Sequence, residues 1–572
     1  MNLLRFSYWL RGDRPELGPE QREKHALETA RNRIFITGIM FGIGFLWIAG
    51  GLFNATVLKQ GNEPDLTAGT DSKELKTERA DIVDRNGILL ATDLPTSSLY
   101  ADARVIKDPV GAADHLLTVL PGLDRDTLIR HLGSQKAFVW LRRNLTPDQQ
   151  YKVNALGIPG LNFQREERRV YPQGRLFAHV LGFTDIDNNG IAGAEREFDN
   201  DLRSNSGPLR LSLDIRVQHA LRAEVSSAME TYSAAGATGL VMDIYTGEVM
   251  GMVSLPDFDP HRPGQGPADA RFNRATLGVY EQGSVFKLFN AAIALDTGTS
   301  TLYSTYDATK PMRVARFTIH DFHGENRWLT VPEILAYSSN IGSARMAMDF
   351  GIETQKKYLK DFGFLDPSDV ELPEVASPLL PNPWREINLM TISYGHGIAV
   401  TPLQLVNGIS TISNGGIRRP STILKQDGAP AGVRVISKKT SDDMRRLMRL
   451  VVTEGSGKKA DVPGYFLGGK TGTADKLVNG RYVKNARMST FVAAFPMQDP
   501  RYVVLVTLDG PQGTKETYGY ATAGWVAAPA VGKVVTRIAP LLGIEPAYAK
   551  APEIEQALRL DLRKEERKLA SF

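Results

Sequence analysis

Ser284 and Lys287 stand three residues apart in the run Ser284-Val-Phe-Lys287. On a helix that spacing puts both side chains on one face, a turn apart. Gly283 precedes the run and Gly298 offers a stop; between them Val285, Phe286, Leu288, Phe289, Ala291, Ala292, Ile293, Ala294 and Leu295 leave no polar face. This predicts a helix buried inside a domain. An ammonium carried there is poorly solvated, so its pKa falls and the neutral amine is favoured. A neutral amine beside a hydroxyl can take the proton as the oxygen attacks a carbonyl. The bland alternative is an ordinary helix whose lysine reaches solvent along its aliphatic stem.

Two further runs carry compatible chemistry. Ser338-Ser-Asn340 lies between helical patterns: Thr330-Val-Pro-Glu333 has the form of a capping box, and Ile334, Leu335, then Ile341, Ala344, Met346 and Ala347 keep an apolar period on either side. At such a junction the Ser338 hydroxyl can pass a proton to a leaving amine, and the Asn340 amide can hold the lysine and a substrate carbonyl. Helix capping is the competing role. Lys470-Thr-Gly-Thr473 follows Tyr465-Phe-Leu and precedes two β-rich stretches, Ser489-Thr-Phe-Val-Ala-Ala-Phe and Tyr502-Val-Val-Leu-Val-Thr-Leu, the material of an antiparallel sheet. Gly472 permits close backbone approach, so a peptide can add along the strand while Lys470, Thr471 and Thr473 meet its terminal carboxylate. Gly464 to Thr471 also spells a phosphate loop, but that loop must open a helix, and the residues after Thr471 supply none.

The chain has 572 residues, too many for one ordinary domain, and its 42% hydrophobic and 23% charged content is globular. A net charge of +4, with no basic stripe interleaved with aromatics, gives nucleic-acid binding no support. The absence of cysteine removes disulfides, thiol catalysis and cysteine zinc sites together. Ile34 to Leu58 holds no charged residue, and is long enough to cross a bilayer. Arg31 and Arg33 at its start place the N-terminus in the cytoplasm, with the rest of the chain outside. The expected organisation is a cytoplasmic tail (1–33), a transmembrane helix (34–58), a linker and non-catalytic module (59–233), a catalytic domain (234–545) and a charged tail (546–572), solvated or disordered. Gly38 and Gly42 could seat a partner helix. His320-Asp-Phe-His323 lacks a third ligand in sequence, so no metal is expected.

Taken together, the three runs resemble those of class B penicillin-binding proteins, and most closely the division-specific septal type. Arg79-Ala-Asp-Ile-Val-Asp-Arg-Asn-Gly87 is similar to that family's opening motif, Arg169-Val-Tyr-Pro172 and Gly190-Ile-Ala-Gly-Ala-Glu195 to its pedestal motifs, and Gly395-His-Gly-Ile-Ala-Val-Thr-Pro402 to its catalytic signature. Gln282 and Ala80 depart from the pattern, where proline and glycine are common. The resemblance implies an α+β fold: a single N-terminal transmembrane helix, an elongated pedestal, and a serine β-lactamase-like transpeptidase domain of mixed sheet and helical cluster.

The resemblance further implies that Ser284 attacks the bond between the last two D-alanines of a peptidoglycan stem pentapeptide, with Lys287 as base, Ser338 as proton donor and Asn340 orienting the stem. Lys470, Thr471, Gly472 and Thr473 bind the carboxylate side, and no cofactor is needed. β-Lactam antibiotics acylate the same serine. Since the chain has no polymerising domain, a membrane-embedded glycan polymerase and other division proteins are its expected partners, at the septal inner membrane. The alternatives are an elongation-specific class B transpeptidase, a β-lactamase, or a division scaffold with a dead site.

Overall fold

The structure, a computed structural model, describes residues 19–53, 79–204, 207–314, 317–478 and 481–560. The chain divides into two compact units, Met1–Lys76 and Thr77–Phe572. In the first, one helix, Pro19–Phe53, contains the apolar stretch Arg31–Gly50, none of it buried. Twenty residues of helix span about 30 Å, the thickness of a bilayer's hydrocarbon core. Thr37 Oγ1 donates to Arg33 O (2.7 Å), so its hydroxyl needs no partner outside the helix. Residues 54–58 of the expected span and the whole of the 59–77 tether lie outside the described residues.

The second unit opens with the pedestal. Strands Leu89–Ala101, Val139–Leu145 and Leu161–Val170 form an antiparallel sheet, extended by Ile82–Val83 and Leu209–Arg210. Leu99, Leu116, Leu128, Leu132 and Leu145 form a core between this sheet and the short helices Pro109–Val119 and Arg125–Leu132. Three motifs far apart in sequence meet in a buried ionic knot. Glu195 receives Arg79 Nε at 2.7 Å on one oxygen and Arg169 Nε at 2.6 Å on the other, and Arg169 also pairs with Asp93 and Arg79 with Asp199. The three motif side chains are at most 4% exposed. Buried charges persist only when paired in this way, so the knot fixes where the pedestal's segments cross.

The catalytic domain comprises α1 (Ile215–Thr231), β1 (Gly236–Asp243), β2 (Val249–Leu255), α2 (Phe286–Asp296), α3 (Val331–Ala336), α4 (Asn340–Asp361), α5 (Lys438–Thr453), β3 (Gly468–Val478), β4 (Arg481–Phe495), β5 (Tyr502–Asp509) and α6 (Ala523–Leu541), besides shorter elements. The strand order is β3-β4-β5-β1-β2. All four pairings are antiparallel, as the β-rich stretches after Lys470 predict, so this sheet is not the mixed one the resemblance implied; a parallel pairing is found in the pedestal, between Ile82–Val83 and Leu209–Arg210. Every residue of β5 is buried: Val504 and Val506 face α1 and α6, whereas Val503 and Leu505 join the cluster containing α2 and α5. The sheet is thus the middle layer of three, with β3 at its edge.

Two elements near the expected boundaries pack against the catalytic domain. Helix α1, which composition grouped with the pedestal, lays Val217, Leu221 and Val225 on the catalytic sheet. The tail is not wholly solvated, because helix Ala551–Leu558 buries Leu558 and packs Ile554 against the core; residues 561–572 lie outside the described residues. The pedestal is tied to the catalytic domain by polar contacts from its motifs. Arg85 pairs with Glu248 (3.3 Å), Asp84 accepts from Ile215 N at the start of α1 (3.2 Å), and both Glu374 carboxylate oxygens lie 3.2 Å from Gly193 N.

Candidate active site

The nucleophile segment begins with a 3₁₀ turn, Gly283–Val285, and runs into α2, in which Phe286 through Ala294 are all buried. Lys287 is 1% exposed, so the solvent-reaching alternative does not occur. Its Nζ lies 2.9 Å from Ser284 Oγ, 2.6 Å from Ser338 O, 3.1 Å from Ser338 Oγ and 2.7 Å from Asn340 Oδ1. Burial holds its pKa well below the usual lysine range, and the nearby Lys470 lowers it further, against a smaller opposing pull from Asp321. A deprotonated Nζ presents a lone pair toward the Ser284 hydroxyl, so the pair is poised for proton transfer.

Ser338 lies between α3 and α4 in the left-handed region, with φ 61°, a conformation that serine adopts only when its surroundings impose it. The capping expected of this run falls to the middle residue: Ser339 Oγ accepts from Gly342 N at 2.9 Å. Ser338 and Asn340 are thereby left to face Lys287. Asp321, from the His320-Asp-Phe-His323 run, fixes this junction. It accepts from Ser339 Oγ (2.7 Å) and from the backbone N–H groups of Asn340 and Ile341, while Asn340 Nδ2 donates to His320 O at 2.9 Å. A carboxylate on a helix's free N–H groups is favourable both as a cap and against the helix dipole. Among the described residues, no group of three or more His, Cys, Asp or Glu is arranged to hold a metal ion.

The third run occupies edge strand β3. Lys470 is fully buried and donates to Ser338 Oγ at 3.0 Å; desolvation pushes its pKa down to about 7. It does not line the cleft, whereas Thr471 and Thr473 do. Gly472 permits a close approach of a kind different from the one expected: a Cβ there would lie 2.2 Å from Gln282 O, so the residue serves packing against the nucleophile turn. Gly283 and Gly395 complete the seam, with added Cβ atoms 2.9 Å from Thr473 O and 2.1 Å from Gly283 O respectively. Gln282, the departure before the nucleophile, is buried and donates from Nε2 to Val400 O at 3.1 Å, and Ala80 N donates to Leu202 O at 2.7 Å. Neither touches a reacting group.

Ser284, Ser338, Asn340, Thr471 and Thr473 open onto one cavity of about 810 Å³. Sequence reasoning passed over several other residues on its walls, among them Tyr394, His396, Lys458, Lys459 and Trp525. His396 was visible only as part of a signature. Its Nδ1 lies 2.9 Å from Glu281 Oε2, and that carboxylate raises the imidazole's pKa.

A serine with a deprotonating amine, a hydroxyl relay and a carboxylate-ready strand in one cleft is the arrangement of an acyl-serine transferase. The penicillin binding protein transpeptidase domain matches residues 237–532, and the penicillin-binding protein dimerisation domain matches 74–218. The chain belongs to the class B penicillin-binding proteins. It is 41% identical to the "Probable peptidoglycan D,D-transpeptidase FtsI" of Caulobacter vibrioides over 91% of this chain and 90% of that one. It is 29% identical to "Peptidoglycan D,D-transpeptidase FtsI" of Escherichia coli over 92% and 95%. Its fold is similar to that of penicillin binding protein 3 from Mycobacterium tuberculosis, solved with aztreonam, at a TM-score of 0.65 and 24% identity over 82% of this chain and 98% of that one. For a class B penicillin-binding protein, the match of both domains accounts for the pedestal as well as the cleft.

Proposed function

We propose that this penicillin-binding protein crosslinks peptidoglycan as a D,D-transpeptidase. The observation that carries the reading is the 2.9 Å approach of a buried, pKa-depressed Lys287 to Ser284 at the floor of an open cleft. Lys287 takes the hydroxyl proton as Ser284 Oγ attacks the carbonyl between the last two D-alanines of a stem pentapeptide. Backbone N–H groups of Ser284 and Thr473 stabilise the oxyanion, at about 3 kcal/mol for each donor. Ser338, hydrogen-bonded to both lysines, protonates the departing D-alanine amine, and a neighbouring stem's amine then resolves the acyl-enzyme. Asn340 orients the donor stem, whose carboxylate meets Thr471 and Thr473. Lys470 acts through Ser338 from below and regains full charge when a carboxylate enters.

The septal role is the form of this activity supported by the two FtsI relatives. The N-terminal helix holds the enzyme at the inner membrane with the catalytic domain outside, beside a membrane-embedded glycan polymerase and other division proteins. Incubating the purified chain with fluorescent penicillin and with a stem pentapeptide tests the reading. One covalent label at Ser284 and release of D-alanine are expected. Labelling that survives Ser284→Ala would overturn it.

A further inference from the structure

The cleft continues past the threonines of β3 to a cationic, aromatic end that the donor chemistry leaves unused. Ser456 Oγ lies 2.6 Å from Thr471 Oγ1, and immediately beyond it the 3₁₀ turn Lys458–Ala460 presents Lys458 and Lys459, both exposed and both on the cavity wall. Among the described residues, neither lysine pairs with a carboxylate. Lys459 Nζ instead sits 4.2 Å from the centroid of the Trp525 ring. Tyr520 stacks on that ring at 5.6 Å and 16°, and Tyr518 meets it edge-on at 5.8 Å. Gly524 allows this closeness, since a Cβ there would lie 2.7 Å from Ser456 O. The cation–π contact orders one lysine in advance of any ligand, and a cavity of about 810 Å³ holds considerably more than a terminal dipeptide.

We propose that Lys458, Lys459 and Trp525 form the landing site for the carboxylates of the acceptor stem. The inference rests on the transpeptidase reading. Once D-alanine has left, the space it vacates beside Thr471 and Thr473 is the approach to the acyl carbonyl. A second stem entering there lies over Lys458 and Lys459. Its neutral amine attacks the ester carbon, the new N–C bond forms, the C–O bond to Ser284 breaks, and the amine's proton passes by way of Lys287 to Ser284 Oγ. Stem peptides carry free carboxylates close to the attacking amine, and two unpaired lysines are complementary to them. Water needs no such site. The cluster therefore decides whether the acyl group goes to an amine or is hydrolysed.

The test uses the full chain, a D-alanyl thioester as acyl donor and a tripeptide ending in meso-diaminopimelate as acceptor, and measures the ratio of aminolysis to hydrolysis. Acylation by penicillin, which concerns the donor side alone, checks that each variant has a working nucleophile. For Lys458→Gln/Lys459→Gln the ratio is expected to fall about tenfold, with Trp525→Leu giving a smaller fall. Amidating the acceptor's carboxylates should bring the unsubstituted chain down to the double variant's ratio and leave the variant unchanged. An unaltered ratio overturns the proposal, as does an equal response of both proteins to amidation or a parallel loss of penicillin acylation. Failure of the unsubstituted chain to acylate would instead overturn the transpeptidase reading.

Discussion

Burying Lys287 and Lys470 side by side makes the site's pH behaviour a direct consequence of desolvation. Lys470 is brought from its ordinary 10.5 to about 7 in the folded chain. Between those values the unfolded chain holds a proton that the folded chain has released, so stability rises with pH from about 7 to about 10.5. Below 7 both forms are protonated, and the full penalty of a buried charge is present. Thermal melts of the unsubstituted chain should therefore climb through that window, and those of Lys470→Met should climb less. Acylation should rise with pH as the buried amines lose their protons, since only a neutral Lys287 can accept from Ser284. Lys287→Ala is expected to reduce the penicillin acylation rate by about 10²- to 10⁴-fold. In Ser284→Ala the label should disappear while the melting temperature stays close to its original value. A Lys287→Ala chain that acylates at the original rate would remove this amine from the mechanism.

At the level of elements, α4 depends on a residue outside it. Asp321 takes two of its first backbone N–H groups together with the Ser339 hydroxyl, and so positions Asn340 and Ser338 against Lys287. Asp321→Ala should lower stability by about 1–2 kcal/mol in urea titration and slow acylation as well. Asp321→Asn, which keeps an acceptor, should recover part of both. Loss of stability with no change in acylation would limit Asp321 to capping. The helix at Ser284 and the capping box at Thr330 were legible in the sequence because each is set by neighbouring residues. Asp321 was not, because its role arises from an approach across the chain to a helix that starts 19 residues later. The same holds for Lys459 and Trp525, which meet only when α6 packs beside the turn after α5. Gly472 was recognised as a position of close approach, but its neighbour, Gln282 O, lies in a segment 190 residues away. Helix α1, grouped with the pedestal by composition, packs its buried face on the catalytic sheet, a contact set by residues distant in sequence.

Across the whole molecule, the pedestal's ionic knot and the N-terminal helix invite separate tests. Glu195→Ala leaves Arg79 and Arg169 buried without their shared partner, and the expected loss is about 3–5 kcal/mol of stability, read from denaturant unfolding. Replacing the N-terminal helix with an unrelated membrane span should leave penicillin labelling unchanged yet impair division, because close helix packing in lipid depends on the small residues of the native span. Full rescue of division by the swapped helix would leave the pedestal as the docking surface.

The glycine seam of Gly283, Gly395 and Gly472 also sets limits on inheritance. Any missense change in these three codons adds at least a Cβ, and at Gly395 and Gly472 that atom would fall within 2.2 Å of a carbonyl oxygen at the base of the nucleophile turn. Selection by a β-lactam therefore has little scope to reshape the ground on which Ser284 stands without losing the enzyme. Escape lineages should accumulate their changes on the outer walls of the cleft, around Tyr394 and His396. Sequencing of clones passaged under rising drug would show the seam unchanged while the walls vary.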